Sequence, residues 1–514
     1  MDRRLVVKWI LLLIVCPVVI PACGGRGQTA STEPELTTQR IQTLRPIVTS
    51  FCGDCHAMPP PDSFPRDAWF AEVEQGYRFY LESGRHDLKP PPTRDAVAFY
   101  RAQAPEALVT TPLATDLDTA ARFRKQLLPA LSTAPAVSFV DAVSDRGTSG
   151  LWFCDMHSGQ LFALDCRDTS SPPREMARFT NPARFAVCDL DGNGSQDTVV
   201  ADLGSFVPGD HQHGKVWWLP APGEADQPAR REVLVENIGR IADVRPADFN
   251  QDGFTDLVVA EFGWRKSGSV FLLLQEPPSD PTAPRNALPR FRRVDVDQRH
   301  GVIHVPVCDL NGDGRPDFVA LVSQEHEVVD AFLNIGEGKF ERQRIFTAND
   351  PAFGSSGIDM VDLDGDGDLD VLFTNGDTLD SHYLKPSHGI HWLENQGGFP
   401  FVAKRIAHLL GAMRAVPADI DGDGDLDVVA AAYLPALLRR QGQDTPHETL
   451  IWLEQTASRE FIRHTLEVGE AGHMSLLAAD LDGDGDVDLA VPNYAEQREA
   501  KLEPLVIWWN EPSR

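Results

Sequence analysis

Six short acidic loops recur along the chain at nearly even intervals, and no other feature constrains the fold as strongly. They read DLDGNGSQD (189–197), DFNQDGFTD (248–256), DLNGDGRPD (309–317), DLDGDGDLD (362–370), DIDGDGDLD (419–427) and DLDGDGDVD (480–488). Successive loops start 59, 61, 53, 57 and 61 residues apart. A period of this length predicts one supersecondary unit stacked many times. Each loop runs into an apolar, β-branched stretch such as 256–260 or 427–431, and then into an aromatic one such as 216–219 or 451–454. A further strand, as at 340–345 or 461–466, brings each unit to four short strands, the composition of a propeller blade.

The loop spacing fits a hard cation. Calcium takes six to eight oxygens, and positions 1, 3, 5 and 9 of every loop supply Asp or Asn. These are Asp189, Asp191, Asn193 and Asp197 in the first loop, then Asp248, Asn250, Asp252 and Asp256 in the second. The third offers Asp309, Asn311, Asp313 and Asp317, and the fourth Asp362, Asp364, Asp366 and Asp370. The last two offer Asp419, Asp421, Asp423 and Asp427, and Asp480, Asp482, Asp484 and Asp488. Position 7 is expected to give its carbonyl, from Ser195, Phe254, Arg315, Asp368, Asp425 and Asp486. Glycine at position 6 allows the turn a positive φ. An EF-hand would carry Glu at position 12, where this chain has Val200, Val259, Ala320, Phe373, Ala430 and Val491. The expectation is up to six Ca²⁺ in loops between strands.

A unit without such a loop precedes the six, with strands expected near 136–141, 149–154, 160–165 and 174–179, which makes seven blades. The final unit reaches Arg514 after three strands, and residues 119–128 are expected to supply its fourth and close the ring. The repeats resemble the FG-GAP/VCBS family, whose propeller is that of the integrin α-subunit head. The resemblance covers 119–514 and implies the fold; it leaves function open, because one fold carries many functions. The fold class expected is mainly β: a seven-bladed β-propeller with calcium loops, preceded by a small all-α cytochrome c-like domain at 36–108.

That helical segment follows a targeting sequence. Arg3, Arg4 and Lys8 precede an apolar run over 9–19, too short to span a bilayer, and then a small-residue site before Cys23. Residues 1–22 read as a signal peptide, and the site resembles a bacterial lipobox in which Cys23 is acylated; a plain signal peptide cleaved nearby is the alternative. Residues 23–35 read as a linker. The expected location is extracytoplasmic, lipid-anchored, in the outer membrane or periplasm of a bacterium.

Residues 52–56 read CGDCH. In an exported chain this pattern attaches haem c, with Cys52 and Cys55 as thioether donors and His56 as proximal ligand. With helices expected over 36–51, 66–82 and 94–103, the segment resembles a class I cytochrome c. Such domains usually offer a distal Met, but the loop 84–92 contains none. His86 is the first candidate for the sixth ligand, Lys89 the second, and water or an open iron the third. The remaining thiols, Cys154, Cys166, Cys188 and Cys308, read as unpaired, because their positions in the repeats do not bring two together.

Lys and Arg number 47 against 76 Asp and Glu, a formal charge of −29. That excludes a nucleic-acid partner, for want of a basic surface. The loops hold 24 of these acidic residues, so six Ca²⁺ would bring the charge to −17. Three roles stay open: electron transfer by a haem domain joined to a partner-binding propeller, a glycan- or protein-binding propeller with accessory haem, and a haem-linked oxidoreductase. No dinucleotide, nucleophile-elbow or metalloprotease motif supports the last. The redox partner or extracytoplasmic ligand is unknown. Long loops and inner-strand positions bearing His211, His213, Asp377, Asp380, His382, His388, Tyr433, Tyr494, Asp243, His304, Asp359, Arg414 and His473 read as a polar rim, with a ligand or docking site there as the sharper alternative.

Overall fold

Strands buried on both faces read as unbroken apolar runs, and the strand after each acidic loop is of this kind. Asp256–Glu261, Asp317–Val322, Asp370–Asn375 and Asp427–Ala432 are buried at every position. What covers them is the neighbouring sheet on each side. The computed structural model describes residues 37–110, 123–131, 134–145, 148–221, 230–277, 288–379, 381–435, 447–469, 472–495 and 502–511. Within these, antiparallel strands form seven sheets, each the blade of a β-propeller.

Blades 1 to 6 occupy 137–178, 182–238, 241–297, 302–347, 355–408 and 412–468, each meandering from its innermost to its outermost strand. In blade 4 the inner strand is split into Val302–His304 and Val307–Cys308. Pro306 stands in the gap, where it cannot donate to the ladder. Blade 7 has Leu477–Ala479, Asp488–Pro492 and Leu505–Asn510, with Phe123–Leu127 as its outer strand. Phe123 lies opposite Asn510 and Leu127 opposite Val506. Lys125 Nζ stands 3.9 Å above the Trp508 ring, and Trp509 Nε1 donates to Gln126 Oε1 at 2.7 Å. The first strand of the ring is thus tied to the last, and Leu505–Asn510 is paired on its outer side instead of being left as a bare edge.

Seven apolar clusters hold the ring, one between each pair of neighbouring blades. Trp218, Trp392, Trp452, Trp508 and Trp509 are buried in them. The outer strands carry the charge: Val402–His408 is exposed over its first four residues, and Arg290–Asp297 at four of its eight positions.

Before the ring, three helices pack on one another: α1 (Thr38–Cys52), α2 (Trp69–Glu82) and α3 (Thr93–Arg101). Their core holds Leu44, Val48, Val73 and Phe99, with Trp69 stacked on Tyr100 at 4.0 Å. This unit rests on the propeller face that carries the connections between second and third strands. Ser63 Oγ donates to Asp350 Oδ2 (2.8 Å), and Phe64 meets Tyr383 edge-on (5.8 Å). The Arg265 guanidinium sits 3.4 Å from the Phe79 ring centre, a cation–π contact worth about 0.5–2 kcal/mol. Among the described residues no helix is long and apolar enough to cross a membrane.

Candidate functional site

The acidic loops join the first and second strands of blades 2 to 7, all on the face opposite the helices. Their fold comes from side chains accepting backbone hydrogen bonds. In blade 2, Asp189 accepts from the amides of Asn193 (3.0 Å) and Gly194 (2.8 Å), and Asn193 Oδ1 accepts from Ser195 N (2.7 Å). Blades 3, 4 and 5 repeat the position-1 pattern through Asp248, Asp309 and Asp362. In blades 6 and 7, Asp419 and Asp480 accept from Gly422 and Gly483 as well as from Gly424 and Gly485. Position 6 has φ between 80° and 97°, which only glycine adopts without strain. In blade 3, Gln251 takes a left-handed φ of 58° at position 4, where the other loops have glycine.

Position 9 serves as a staple. Asp197, Asp256, Asp317, Asp370, Asp427 and Asp488 are buried. One oxygen of each accepts from the amide at position 2 of its own loop. The other accepts from the amide just past or at the end of the third strand: Ala221, Gln275, Asn334, Asn395, Gln455 or Asn510. In blades 5 and 6 the indoles of Trp392 and Trp452 add a third donor. Burial and neighbouring aspartates push Asp256, Asp370, Asp427 and Asp488 up to about 6, despite these bonds.

Whether the loops fit a cation can be judged from the oxygens left over. Carboxylate oxygens of Asp189, Asp191 and Asp197 lie within 4.8 Å of one another, as do those of Asp362, Asp364 and Asp370. The same holds for Asp419, Asp421 and Asp423, and for Asp480, Asp482 and Asp488. Asp191 Oδ2 and Asp364 Oδ1 are buried with no hydrogen-bond donor, a costly arrangement that a cation would relieve. These clusters could hold a metal. In blades 3 and 4 Asn250 and Asn311 occupy position 3, Asn250 Nδ2 donates to Asp252 Oδ2 (2.9 Å), and Arg315 pairs with Asp313.

The CGDCH motif closes α1. Cys52 is its last residue, half-buried, and its thiol is pushed up by burial. Cys55 lies exposed in the turn beyond. His56 is half-buried, and its Nδ1 meets the Ala57 carbonyl at 2.7 Å, which leaves Nε2 as the nitrogen not used in that contact. The buried Tyr100 hydroxyl lies beside Cys52 without a hydrogen bond of normal geometry. Two thiols and an oriented imidazole at a helix end, with a polar atom left over, suit a covalent haem. His86 and Lys89 are both exposed. The residue of that loop which reaches the motif is Arg85, paired with Asp54 (2.7 Å) and donating to Cys55 Sγ (3.2 Å). Met58 Sδ accepts from Thr49 on α1 (3.2 Å). Cys23, the signal segment and Asp380 lie outside the described residues.

Several residues expected on a solvated rim are instead interior. His388, His473, Tyr433 and Tyr494 are buried, because the connections fold over the blade ends rather than standing off them. His473 bridges Pro492 O (3.0 Å) and Glu467 (2.9 Å). The inner strands put a charged ring around the axis. Asp243 is enclosed and pairs with Arg184 (3.3 Å) and Arg245 (3.0 Å), while Asp359 pairs with Arg414 (2.7 Å). Burial works against the Asp243 carboxylate, but Arg245, Arg184 and His304 hold it well below the usual carboxylate range. Arg184 is lowered to about 9, by burial first and by Arg245 next. Among the described residues the cysteines are unpaired, and burial pushes the Cys166 thiol up to about 11 and those of Cys188 and Cys308 up to about 12.

Fold and loops together define a seven-bladed β-propeller built on acidic inter-strand turns. Residues 174–259 and 309–373 match the family of the FG-GAP-like repeat, so the chain carries FG-GAP-like repeats. The matched stretches include the loops of blades 2 to 5, and those of blades 6 and 7 repeat the geometry beyond them. No curated protein matches the chain.

Proposed function

We propose that this chain is a partner-binding β-propeller, stapled by calcium, whose helical domain carries a c-type haem for electron transfer. The observation that carries the redox part is the CGDCH motif at the end of α1, with the His56 Nδ1 engaged by the Ala57 carbonyl. Haem held there would supply a one-electron iron couple. Cys52 and Cys55 would fix it through thioethers, and His56 Nε2 would ligate the iron. His86 would be the first candidate for a second protein ligand to the iron, Lys89 the next, with water or an open iron third. Calcium in the acidic loops would neutralise the carboxylates that crowd one face, leaving the helix-bearing face for a partner. Acylation of Cys23 would place the whole outside the cytoplasm on a lipid anchor.

The first test is the absorption spectrum of mature protein produced with cytochrome c maturation machinery, beside Cys52→Ala/Cys55→Ala and His86→Ala. The expected wild type is a covalent, low-spin haem that the double variant lacks and that turns high-spin in His86→Ala. A low-spin spectrum unchanged in His86→Ala would move ligation to Lys89 or another residue. Absence of covalent haem in the wild type would sink the electron-transfer role.

A second reading is favoured by the charged ring of the channel and by the repeats themselves: a binding or adhesion propeller in which redox state has no part. It expects partner binding that is abolished by substitutions on the propeller and indifferent to haem oxidation.

A further inference from the structure

Blade 4 brings together three side chains that neither the repeats nor the haem motif accounts for. His300 lies in the connection entering the blade, and Glu325 and His326 lie in the turn between its second strand, Asp317–Val322, and its third, Val328–Gly336. Each offers one ligand atom, and the three atoms lie within 4.8 Å of one another. His300 Nε2 meets Glu325 Oε1 at 2.8 Å, and the two imidazole centres are 5.0 Å apart. From this geometry we propose that His300, Glu325 and His326 bind a divalent first-row transition metal, of which zinc fits best.

The donor set decides the class. Two imidazoles and one carboxylate suit zinc and its neighbours, whereas calcium and magnesium take oxygen alone. The acidic loops are of the second kind and lie on the opposite face, so the two sets would not compete for one ion. Zinc–ligand bonds of 2.0–2.2 Å separate the donors of a tetrahedron by about 3.4 Å. The His300–Glu325 contact at 2.8 Å and the 4.8 Å limit on the three donors lie on either side of that separation.

Three features indicate that the turn is built to hold this cluster. His326 Nε2 is buried and has no hydrogen-bond partner, so this imidazole keeps an unused nitrogen. Gln324 and Glu327, which bracket the pair, both have left-handed φ, 53° and 48°. Non-glycine residues are kept in that region where surrounding structure demands it, often at functional sites. The two segments are also fastened before any metal arrives: Ser323 donates to the Gly301 carbonyl from its amide (2.8 Å) and its hydroxyl (3.0 Å). Gly268 of blade 3 passes so close to His300 that a Cβ there would stand 2.5 Å from it, which limits where that histidine can go. The site does not depend on the haem or calcium assignments.

The test is zinc retention by the full chain after dialysis in excess calcium, measured by elemental analysis for the parent, His326→Ala and Glu325→Gln. The parent is expected to hold one more zinc equivalent than either variant, and the variants' apparent affinity should fall by about 100-fold or more, beyond the range seen for outer-shell changes. Taking the difference cancels any zinc held at Cys52 and Cys55. Glu325→Gln is nearly isosteric, so its melting midpoint without zinc should match the parent's and keep the result independent of folding. Equal zinc in the parent and Glu325→Gln, or none in the parent, would overturn the proposal.

Discussion

The acidic loops of blades 4 and 5 share a backbone and differ in charge. In both, the position-1 carboxylate accepts the amides of positions 5 and 6, and the position-9 carboxylate ties position 2 to the third strand. Yet 309–317 holds three carboxylates and an arginine, whereas 362–370 holds five carboxylates. Arg315 folds onto Asp313 in blade 4, and in blade 5 an arginine from blade 6, Arg459, reaches Asp364 at 2.8 Å. The turn is therefore folded by hydrogen bonds that both sequences make. Charge is laid over it, and the propensity to hold a cation can vary without changing the fold.

The largest effect should come from breaking what the two loops share. Asp370→Ala removes the acceptor for Leu363 N, Asn395 N and Trp392 Nε1, and Asp317→Ala the acceptor for Leu310 N and Asn334 N. At about 1–3 kcal/mol for each buried donor left unmade, the losses should be several kcal/mol, larger in blade 5. Melting in chelator checks this, because the staple acts whether or not metal is present. If the two variants melt like the wild type in chelator but not in calcium, position 9 is a ligand and not a staple.

Calcium and pH should separate the loops next. Without metal, Asp256, Asp370, Asp427 and Asp488 are pushed up to about 6, chiefly by burial. A folded-state value above the ordinary one of about 3.9 means that the native protein keeps protons which the unfolded chain releases. The stability these groups contribute is then present in full below about pH 4 and lost as pH rises through about 6. Calcium binds the ionised form and reverses that loss; a site at 100 times its Kd adds about 2.7 kcal/mol. The gap between melting midpoints with calcium and with chelator should therefore widen from about pH 4 to about pH 7. A gap that narrows over this range would remove calcium from the account.

How far the sequence declares these features depends on repetition. The loops and blades could be read because six copies state the same rule, and the unpaired edge of a three-stranded last unit asks for a strand from elsewhere. The split inner strand of blade 4 has its signal in Pro306 but no second copy to interpret it by. The seat of the helices on the propeller joins Ser63 to Asp350, residues 287 apart, and nothing local in either segment encodes the pairing. The rim histidines misled for a related reason: polarity marks His388 and His473 as surface, whereas the folded connections bury them. His300 is not legible as a partner of Glu325 and His326 because it stands 25 residues before Glu325, with the inner and second strands of blade 4 between them. In the haem segment the motif is local and legible, but the distal side is a matter of packing, which one copy of a loop does not specify.

The smallest effects should sharpen the comparison at position 7, where Arg315 and Asp368 occupy equivalent places. The residue there is expected to offer a carbonyl, so its side chain should matter little to the loop itself. Asp368→Ala should shift stability by no more than about 0.5 kcal/mol, the usual range for surface substitutions. Arg315→Asp differs in one respect, because Arg315 also donates from Nε to the Asn334 carbonyl (2.7 Å) and neutralises Asp313. Freed of that guanidinium, the blade 4 loop should gain calcium affinity at a small cost in metal-free stability. Site-resolved hydrogen exchange during a calcium titration can follow both loops at once. The expected outcome is protection of blade 5 before blade 4 in the wild type, with the interval shortened in Arg315→Asp and unchanged in Asp368→Ala. If Asp368→Ala abolishes calcium protection in blade 5, its carboxylate is the ligand in that loop, and blade 4, with arginine in its place, would be a turn that has kept the fold and given up the ion.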